Sequence, residues 1–397
     1  MSTADRWLLP EGIEEILPPQ AAKLESLRRQ LLDLYASWGY DQVFPPLVEY
    51  LESLLTGVGN DLSLQTFKLT DQLTGRTMGI RADMTPQVSR IDAHTLNQEG
   101  PVRLCYSGDV LHTKPESLMD SRGLIQIGLE LFGHGGIDAD MEVISLMLQT
   151  LAAAGVSEVH LDLGHVGIYR ELAVAAQLNS EQEQALYDIY QRKAVPELQA
   201  FVDSHVHDAA VRGSFLAITE LAGDSSVLQQ AKQVLAEYPN ALAAIADMEA
   251  IAARVNDEFP TVTLYFDLGE LRGYHYHTGP VFSAYVPGQG QAVANGGRYD
   301  HVGEVFGRAR PATGFSTDLA RLIKFLPDSK PLERIFAPCE NGLNNTQRES
   351  LPQTIRQLRD QGKRIIAALP GQSQGAAEMG CNAQLVWQDD RWQIETL

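Results

Sequence analysis

The chain is 397 residues long, 44% apolar and 21% charged, enough for two or three domains with a substantial core and too apolar for a disordered tail. Its formal net charge of −20 at pH 7 argues against an extended nucleic-acid surface, because such surfaces neutralise phosphates with Lys and Arg. Cys105, Cys339 and Cys381 are too few and too scattered for a disulfide framework or a Cys-based zinc site, and no window approaches the roughly 18–20 consecutive apolar residues of a membrane span.

The N-terminus Met-Ser-Thr-Ala-Asp-Arg-Trp-Leu-Leu-Pro10 carries an acidic residue and only a short apolar run, so no secretory leader is expected and the cytoplasm is the expected compartment. Leu24, Leu27, Leu31, Leu34, Tyr35 and Trp38 have the three-and-four spacing of an amphipathic helix over 20–38, closed by Gly39. Asp41 to Pro46 reads as a short strand broken by prolines, and Phe67–Thr70 with Thr77–Arg81 as a hairpin. Met84 to Ile91 opens a helix with Pro86 in its first turn. Strands follow over Val102–Val110 and Leu124–Phe132, then a helix over Glu142–Ala154 and a strand over Glu158–Gly164.

From Val166 to Asp257 alanine, glutamine and leucine dominate with helical periodicity, which predicts a helical insertion between sheet elements. Strands return at Val262–Asp267, Gly279–Tyr285 and Gln291–Ala294. Asn295–Asp300 then reads as a tight turn and Thr317–Phe325 as a helix. After Leu326-Pro327-Asp328 the tail predicts a strand at Arg334–Ala337, a helix at Leu351–Gln361, a strand at Arg364–Leu369, a short helix, and a hairpin through Asp389-Asp390. The sum is an α+β pattern, an antiparallel sheet core flanked by helices. The expected domains are a core over 1–165 and 258–325, the insertion over 166–257 and a small α/β C-terminal domain over 326–397.

Several polar residues stand where a half-buried sheet ordinarily places apolar ones. Arg81, Asp83 and Thr85 share one parity, if the strand runs that far. Gln126, Gly128 and Glu130 share a face opposite Ile125, Ile127 and Leu129, and Arg272 lies beside Gly273 and a cluster of rings, Tyr274 to His277. Parity alone is explained equally well by solvent-facing strand surfaces. Composition favours more: Asp83 and Glu130 attract an ammonium, Arg272 a carboxylate, and Gln126 both donates and accepts, a set suited to a zwitterionic amino acid. Gly128 is expected to leave room for a ligand against the sheet. His205-x-His207 and His275-x-His277 lack a third ligand at suitable spacing, so no metal and no cofactor are expected.

Seven segments in order carry a resemblance: Pro10–Pro18, Gly39–Pro46, Arg81-Ala-Asp-Met-Thr85, Gln126–Gly133, Leu271-Arg-Gly-Tyr274, Gly296-Gly-Arg-Tyr-Asp300 and Gly314–Arg321. Together they resemble the class II aminoacyl-tRNA synthetase core, specifically that of histidyl-tRNA synthetase, over roughly residues 6–325. In that family the turn of the second motif carries Arg-x-Glu, whose arginine holds the ATP α-phosphate. Here Leu104–Glu116 ends in His112-Thr113-Lys114 at those positions. An imidazole replaces a permanently charged, bidentate fork, and Lys114 reverses the glutamate's charge. The third motif keeps Arg321 but has Ala320 where the family places a glutamate. The histidine-specific Asp-Tyr-Tyr becomes His275-Tyr276-His277.

With the ATP side dismantled and the tail shortened and without a basic stripe, the chain is most similar to the synthetase paralogue that serves as the regulatory subunit of ATP phosphoribosyltransferase. The segment Arg81–Ile91 looks like that paralogue's version. The resemblance implies a non-catalytic subunit of the first enzyme of histidine biosynthesis. It would self-associate as a dimer within a hetero-octamer, activate a short catalytic subunit and mediate feedback inhibition by L-histidine. By residue, it implies that Asp83, Thr85 and Gln126 hold the α-amino group, Arg272 the carboxylate, and Glu130 the imidazole with Tyr276 or His277. An unusual active synthetase or ligase, and a stand-alone amino-acid- or tRNA-binding module, are the alternatives. His112, Lys114 and Ala320 count against the first, and the acidic charge and short tail against tRNA binding.

Overall fold

The structure, a computed structural model, describes residues 7–56, 60–115, 120–327 and 333–397. Residues 1–6, read for a secretory leader, Glu116 and Asp328 lie outside the described residues. The chain divides into two compact units, Met1–Pro327 and Asp328–Leu397.

In the first unit the strands are β1 (Asp41–Gln42), β2 (Val48–Tyr50), β3 (Phe67–Thr70), β4 (Thr77–Ile80), β5 (Val102–Leu111), β6 (Gly123–Phe132), β7 (His160–His165), β8 (Ala222–Gly223), β9 (Thr263–Asp267), β10 (Pro280–Tyr285), β11 (Ala294–Arg298) and β12 (Ala312–Asp318). Nine of them form one sheet in the order β1-β5-β6-β12-β11-β10-β7-β9-β8, and β2-β4-β3 form a second of three strands. The six strands from β5 to β7 run antiparallel, while β1 pairs with β5, and β7 with β9, in parallel.

Side-chain alternation gives the large sheet two unlike faces. One buries Cys105, Ile127, Leu129, Phe315, Phe282, Leu161 and Leu163 in the main core. The helices that close this core follow their sequence periodicity. Gln20–Ser37 buries Leu24, Leu27, Leu31 and Tyr35 along one stripe, and Tyr35 Oη lies 3.0 Å from Thr150 Oγ1 on helix Ile137–Ala153. That second helix is apolar nearly all round and carries Asp138 and Asp140 in its first turn, where the helix dipole favours negative charge. On the opposite face the register aligns Tyr106, Gly128, Ser316, Asn295, Ser283 and Asp162 in a row across six strands. The second face is thus polar along this row, and beside it Leu104, Tyr106, Phe132 and Ala312 pack with Met84 and Val88 in a smaller apolar cluster.

Several elements of the first unit differ from the sequence reading. Residues 295–298, expected as a turn, are strand β11, and 312–318 are strand β12, leaving only Leu319–Leu322 helical. Glycine was read as a turn signal, but here it makes room in mid-sheet. A Cβ at Gly296 would strike the Phe282 ring and the Gly314 carbonyl. The strand expected to continue past Ile80 stops there, so Arg81, Asp83 and Thr85 do not share a strand face.

Between β7 and β9 the chain forms helices Val166–Ala175, Ser180–Gln191, Val195–His205, Ala209–Ile218, Ser226–Val234 and Pro239–Glu258. Asn179 and Gln182 form a reciprocal capping box at the second of these. In the second unit β13 (Arg334–Ala337), β14 (Arg364–Ala367), β15 (Ala383–Gln388) and β16 (Arg391–Thr396) form a sheet in the order β14-β13-β15-β16, with helix Asn345–Asp360 packed on it. This helix starts six residues before the expected Leu351, because Asn344 caps it with Gln347. The short helix expected after Leu369 is a run of turns. Asp389 and Asp390, with φ of 51° and 56°, make the tight hairpin turn.

Candidate functional site

The polar face of the sheet is walled by the 81–85 segment and the 268–278 segment. Asp83 Oδ1 accepts from the Thr85 backbone N (3.2 Å), from Thr85 Oγ1 (3.3 Å) and from Gln126 Nε2 (2.7 Å). Gln126 is locked from both ends: its Oε1 accepts from Met84 N at 3.0 Å, and its Nε2 also reaches Ser316 Oγ at 3.1 Å. Asp83, Thr85 and Gln126 therefore stand together, although through a turn and a helix start rather than a shared strand.

The network continues inward. Thr85 Oγ1 is 3.2 Å from Tyr106 Oη, which donates to Glu130 Oε1 at 2.9 Å, and Tyr299 Oη donates to Glu130 Oε2 at 2.5 Å. Glu130 is 1% exposed, and burial pushes its carboxyl up to about 8 despite these hydrogen bonds. Gly128, expected from the sequence to leave room for a ligand, does not do so. A Cβ there would meet the Phe315 carbonyl at 2.5 Å and Tyr106 Oη at 2.7 Å, so the missing side chain makes room for the phenol. Gly314 does the same for Glu130, whose Oε2 occupies the Cβ position.

The Gly296-Gly-Arg-Tyr-Asp300 segment builds much of this site. Gly297 leaves space for the His277 ring, Arg298 pairs with buried Asp140 at 2.8 Å, Tyr299 caps Glu130, and Asp300 accepts from Ala312 N. His277 Nδ1 donates to the Arg298 carbonyl at 3.3 Å, and burial pulls the imidazole down to about 4, so it is neutral at pH 7 with Nε2 as an acceptor. The Tyr276 hydroxyl is buried near Ser89, its ring 4.8 Å from that of Tyr299. Asp83, Thr85, Glu130, Tyr276 and His277 line one cavity of about 190 Å³. This is below the roughly 300–1,000 Å³ of drug-sized sites. Gln126 supports Asp83 from the adjoining cleft, and Arg272 lies in a neighbouring recess. Tyr106, Tyr299, Ser316 and Asn295 escaped the sequence reading. Tyr299 could have been found from the quoted Gly-Gly-Arg-Tyr-Asp segment, and Tyr106 from its parity with Gly128 across the strand pair.

The adjoining cleft, about 220 Å³, is lined by His112 and Arg321, two positions expected from the sequence to be remnants of an ATP site. Asp83, Asp120 and Asp318 line it, with Arg321 as its only permanent cation among the described residues. Arg321 is engaged: it donates to the Ala292 carbonyl at 2.9 Å and lies 3.8 Å from Asp120. His112 is buried, with Nε2 2.9 Å from the Ala82 carbonyl, and Lys114 is exposed. Ala320 packs against the core and offers no side-chain ligand. Two nearby guanidiniums are also spent on carbonyls: Arg81 is buried against those of Asp109 and Pro45 at 2.7 and 2.6 Å, and Arg122 donates to those of His112 and Glu11, each at 3.1 Å. Such a lining offers a triphosphate little charge compensation. Among the described residues no group of three or more His, Cys, Asp or Glu could hold a metal ion, and no helix is long and apolar enough to cross a membrane.

An antiparallel six-stranded centre, core on one face and an amino-acid-sized cavity on the other, defines a class II core of the histidyl-tRNA synthetase type. The family model described as Histidyl-tRNA synthetase matches residues 12–322, and that described as ATP phosphoribosyltransferase subunit HisZ C-terminal domain matches residues 333–395. A histidyl-tRNA synthetase from Nostoc sp. shares the fold, with a TM-score of 0.78 at 18% identity over 98% of this chain and 94% of that one. A Bacillus halodurans chain described as an ATP phosphoribosyltransferase regulatory subunit/histidyl-tRNA synthetase superposes with a TM-score of 0.82 at 27% identity, over 96% of this chain and 97% of that one. Two ATP phosphoribosyltransferase regulatory subunits are closer in sequence. That of Thioalkalivibrio sulfidiphilus is 54% identical over 97% of both chains, and that of Ectopseudomonas mendocina 53% identical over 100% of both. The chain belongs to the ATP phosphoribosyltransferase regulatory subunit family, and is a regulatory rather than a catalytic subunit.

Proposed function

We propose that the chain is the histidine sensor of ATP phosphoribosyltransferase: it activates a short catalytic subunit and, on binding L-histidine, shuts that subunit down. One contrast supports the reading. The amino-acid half of the cleft is built and hydrogen-bonded, whereas the phosphate half has three carboxylates and one engaged guanidinium. A cavity that holds an amino acid but cannot activate it can only report its presence. In this reading Asp83, Thr85 and Gln126 take the α-amino group, Arg272 the carboxylate, and Glu130 accepts from the imidazole beside Tyr276 and His277. His112, Lys114, Ala320 and Arg321 are remnants of an ATP site. Feedback requires histidine to bind the inhibited assembly more tightly than the active one, and a coupling of about 1–3 kcal/mol is typical. The assembly is a hetero-oligomer in the cytoplasm in which the chain self-associates, with no nucleic-acid or membrane role.

The test is phosphoribosyl-ATP formation by the short catalytic subunit, with and without this chain and histidine. The chain should raise the rate and histidine should reverse the rise. An unchanged rate on adding the chain would refute the activator role, and a rise insensitive to histidine would refute the sensor role.

A further inference from the structure

Arg272 does not line the main cavity. It sits in a recess of about 30 Å³ alongside Asp162 and Glu270, which already attract its charge. Among the described residues lining the main cavity none is a permanent cation, Asp83 and Glu130 are acids, and His277 is held neutral by burial. A carboxylate entering this cavity meets two acids and no permanent cation among its described lining residues.

Among the described residues Asn295 alone lines the cavity, the recess and the adjoining cleft. On β11 it pairs across the sheet with Ser283 on one side and Ser316 on the other, so all three side chains share the polar face. Its Oδ1 accepts from Ser283 Oγ at 2.9 Å and from Arg272 Nη1 at 3.2 Å. A guanidinium can only donate, so these contacts fix which end of the amide is oxygen. The Nδ2 amino group therefore faces away from Ser283 and Arg272. Ser316 Oγ, which accepts from Gln126, keeps its own proton for donation beside it.

We infer that Asn295 receives the α-carboxylate of the bound amino acid: Nδ2–H donates to one carboxylate oxygen, while Oδ1 of the same amide orients Arg272 to supply charge from the recess. The inference rests on the proposed histidine site. Asn295 is then a specificity residue, making the cavity select a free α-amino acid over an amine with the same ring.

Calorimetric titration of the full chain with histidine and with histidinol, whose carboxylate is replaced by a hydroxymethyl group, tests this. The wild-type chain should prefer histidine. Asn295→Asp should weaken histidine by about tenfold or more, through like charge at close range, while leaving histidinol nearly unchanged. Asn295→Ala should shrink the preference without inverting it. Asn295 is exposed, and unaltered melting of both variants serves as the folding control. Equal losses for both ligands, or an unchanged preference in both variants, would overturn the assignment while leaving the histidine site standing. A wild-type chain that binds neither ligand would remove the site itself, and the assignment with it.

Discussion

Glu130 occupies the floor of the cavity with a phenol on each carboxylate oxygen, and its proton is linked to folding. Its folded pKa of about 8 lies above the ordinary 4.5, so between these values the folded chain holds a proton that the unfolded chain has released. Its stabilising contribution is therefore complete below about pH 4.5, is lost as pH rises through 8 and then levels off. His277 acts in the opposite sense: held at about 4 against an ordinary 6.5, its contribution is present above 6.5 and is lost as pH falls toward 4. Glu130→Gln keeps the shape without the proton. Urea unfolding of both proteins between about pH 5 and 9 should show the variant gaining on the wild type as pH rises, by at most about 1.4 kcal/mol per unit, and holding level above 8. Parallel curves would mean that Glu130 is ionised in the fold. The sequence exposed Glu130 through the alternation of β6, because parity is a local property. It hid the two phenols, because Tyr106 and Tyr299 reach Glu130 only once three strands are assembled.

The segment 268–278 is gripped from two sides. Arg272, Tyr276 and His277 look onto the sheet, whereas Tyr274 packs between Tyr169 (4.9 Å) and Tyr187 (5.8 Å) and donates its phenol to Glu183. Arg170 lies 5.2 Å from the Tyr274 ring and donates to the His277 carbonyl at 3.1 Å. The helices Val166–Ala175 and Ser180–Gln191 thus set the position of one cavity wall without touching the cavity. Tyr274→Phe keeps the ring packing and removes the hydrogen bond to Glu183, about 1 kcal/mol. Histidine affinity should fall by up to about fivefold if that energy is expressed in the wall's position. Titration of this variant with histidine is decisive: unchanged affinity with a lowered melting temperature would confine Tyr274 to stability. Tyr274→Ala would be a poor probe, since deleting a buried aromatic costs about 3–5 kcal/mol and perturbs everything near it. At this scale the strands bearing apolar alternation were legible and β11 and β12 were not. Their glycines are required by the Phe282 ring and the Glu130 carboxyl, partners on neighbouring strands that meet them only once the sheet is assembled.

At the scale of the whole molecule, every residue assigned to the site lies between Arg81 and Arg321, inside the unit Met1–Pro327, and the second unit has its own small core around Ile335, Leu351 and Leu385. A chain ending at Pro327 should fold cooperatively and bind histidine with the affinity of the full chain, as calorimetry would show. Lost binding in a folded truncation would place part of the site in the second unit. Strands β7 and β9 bear on another kind of economy. Parallel neighbours cannot be joined by a hairpin and need a passage of roughly a dozen residues or more over one face of the sheet. Helix Pro239–Glu258, which packs on β7 and β10, meets that requirement unaided. The four helices from Ser180 to Val234 are, in geometric terms, surplus to that crossover, although edge strand β8, which pairs with β9, lies among them. They are not surplus to the cavity, because Glu183 and Tyr187 sit in the first of them. A chain relieved of this excursion would keep the β7–β9 pairing, give up only edge strand β8 and lose its hold on the wall that faces the ligand, so that the part easiest to discard is the part through which ligand affinity could be retuned.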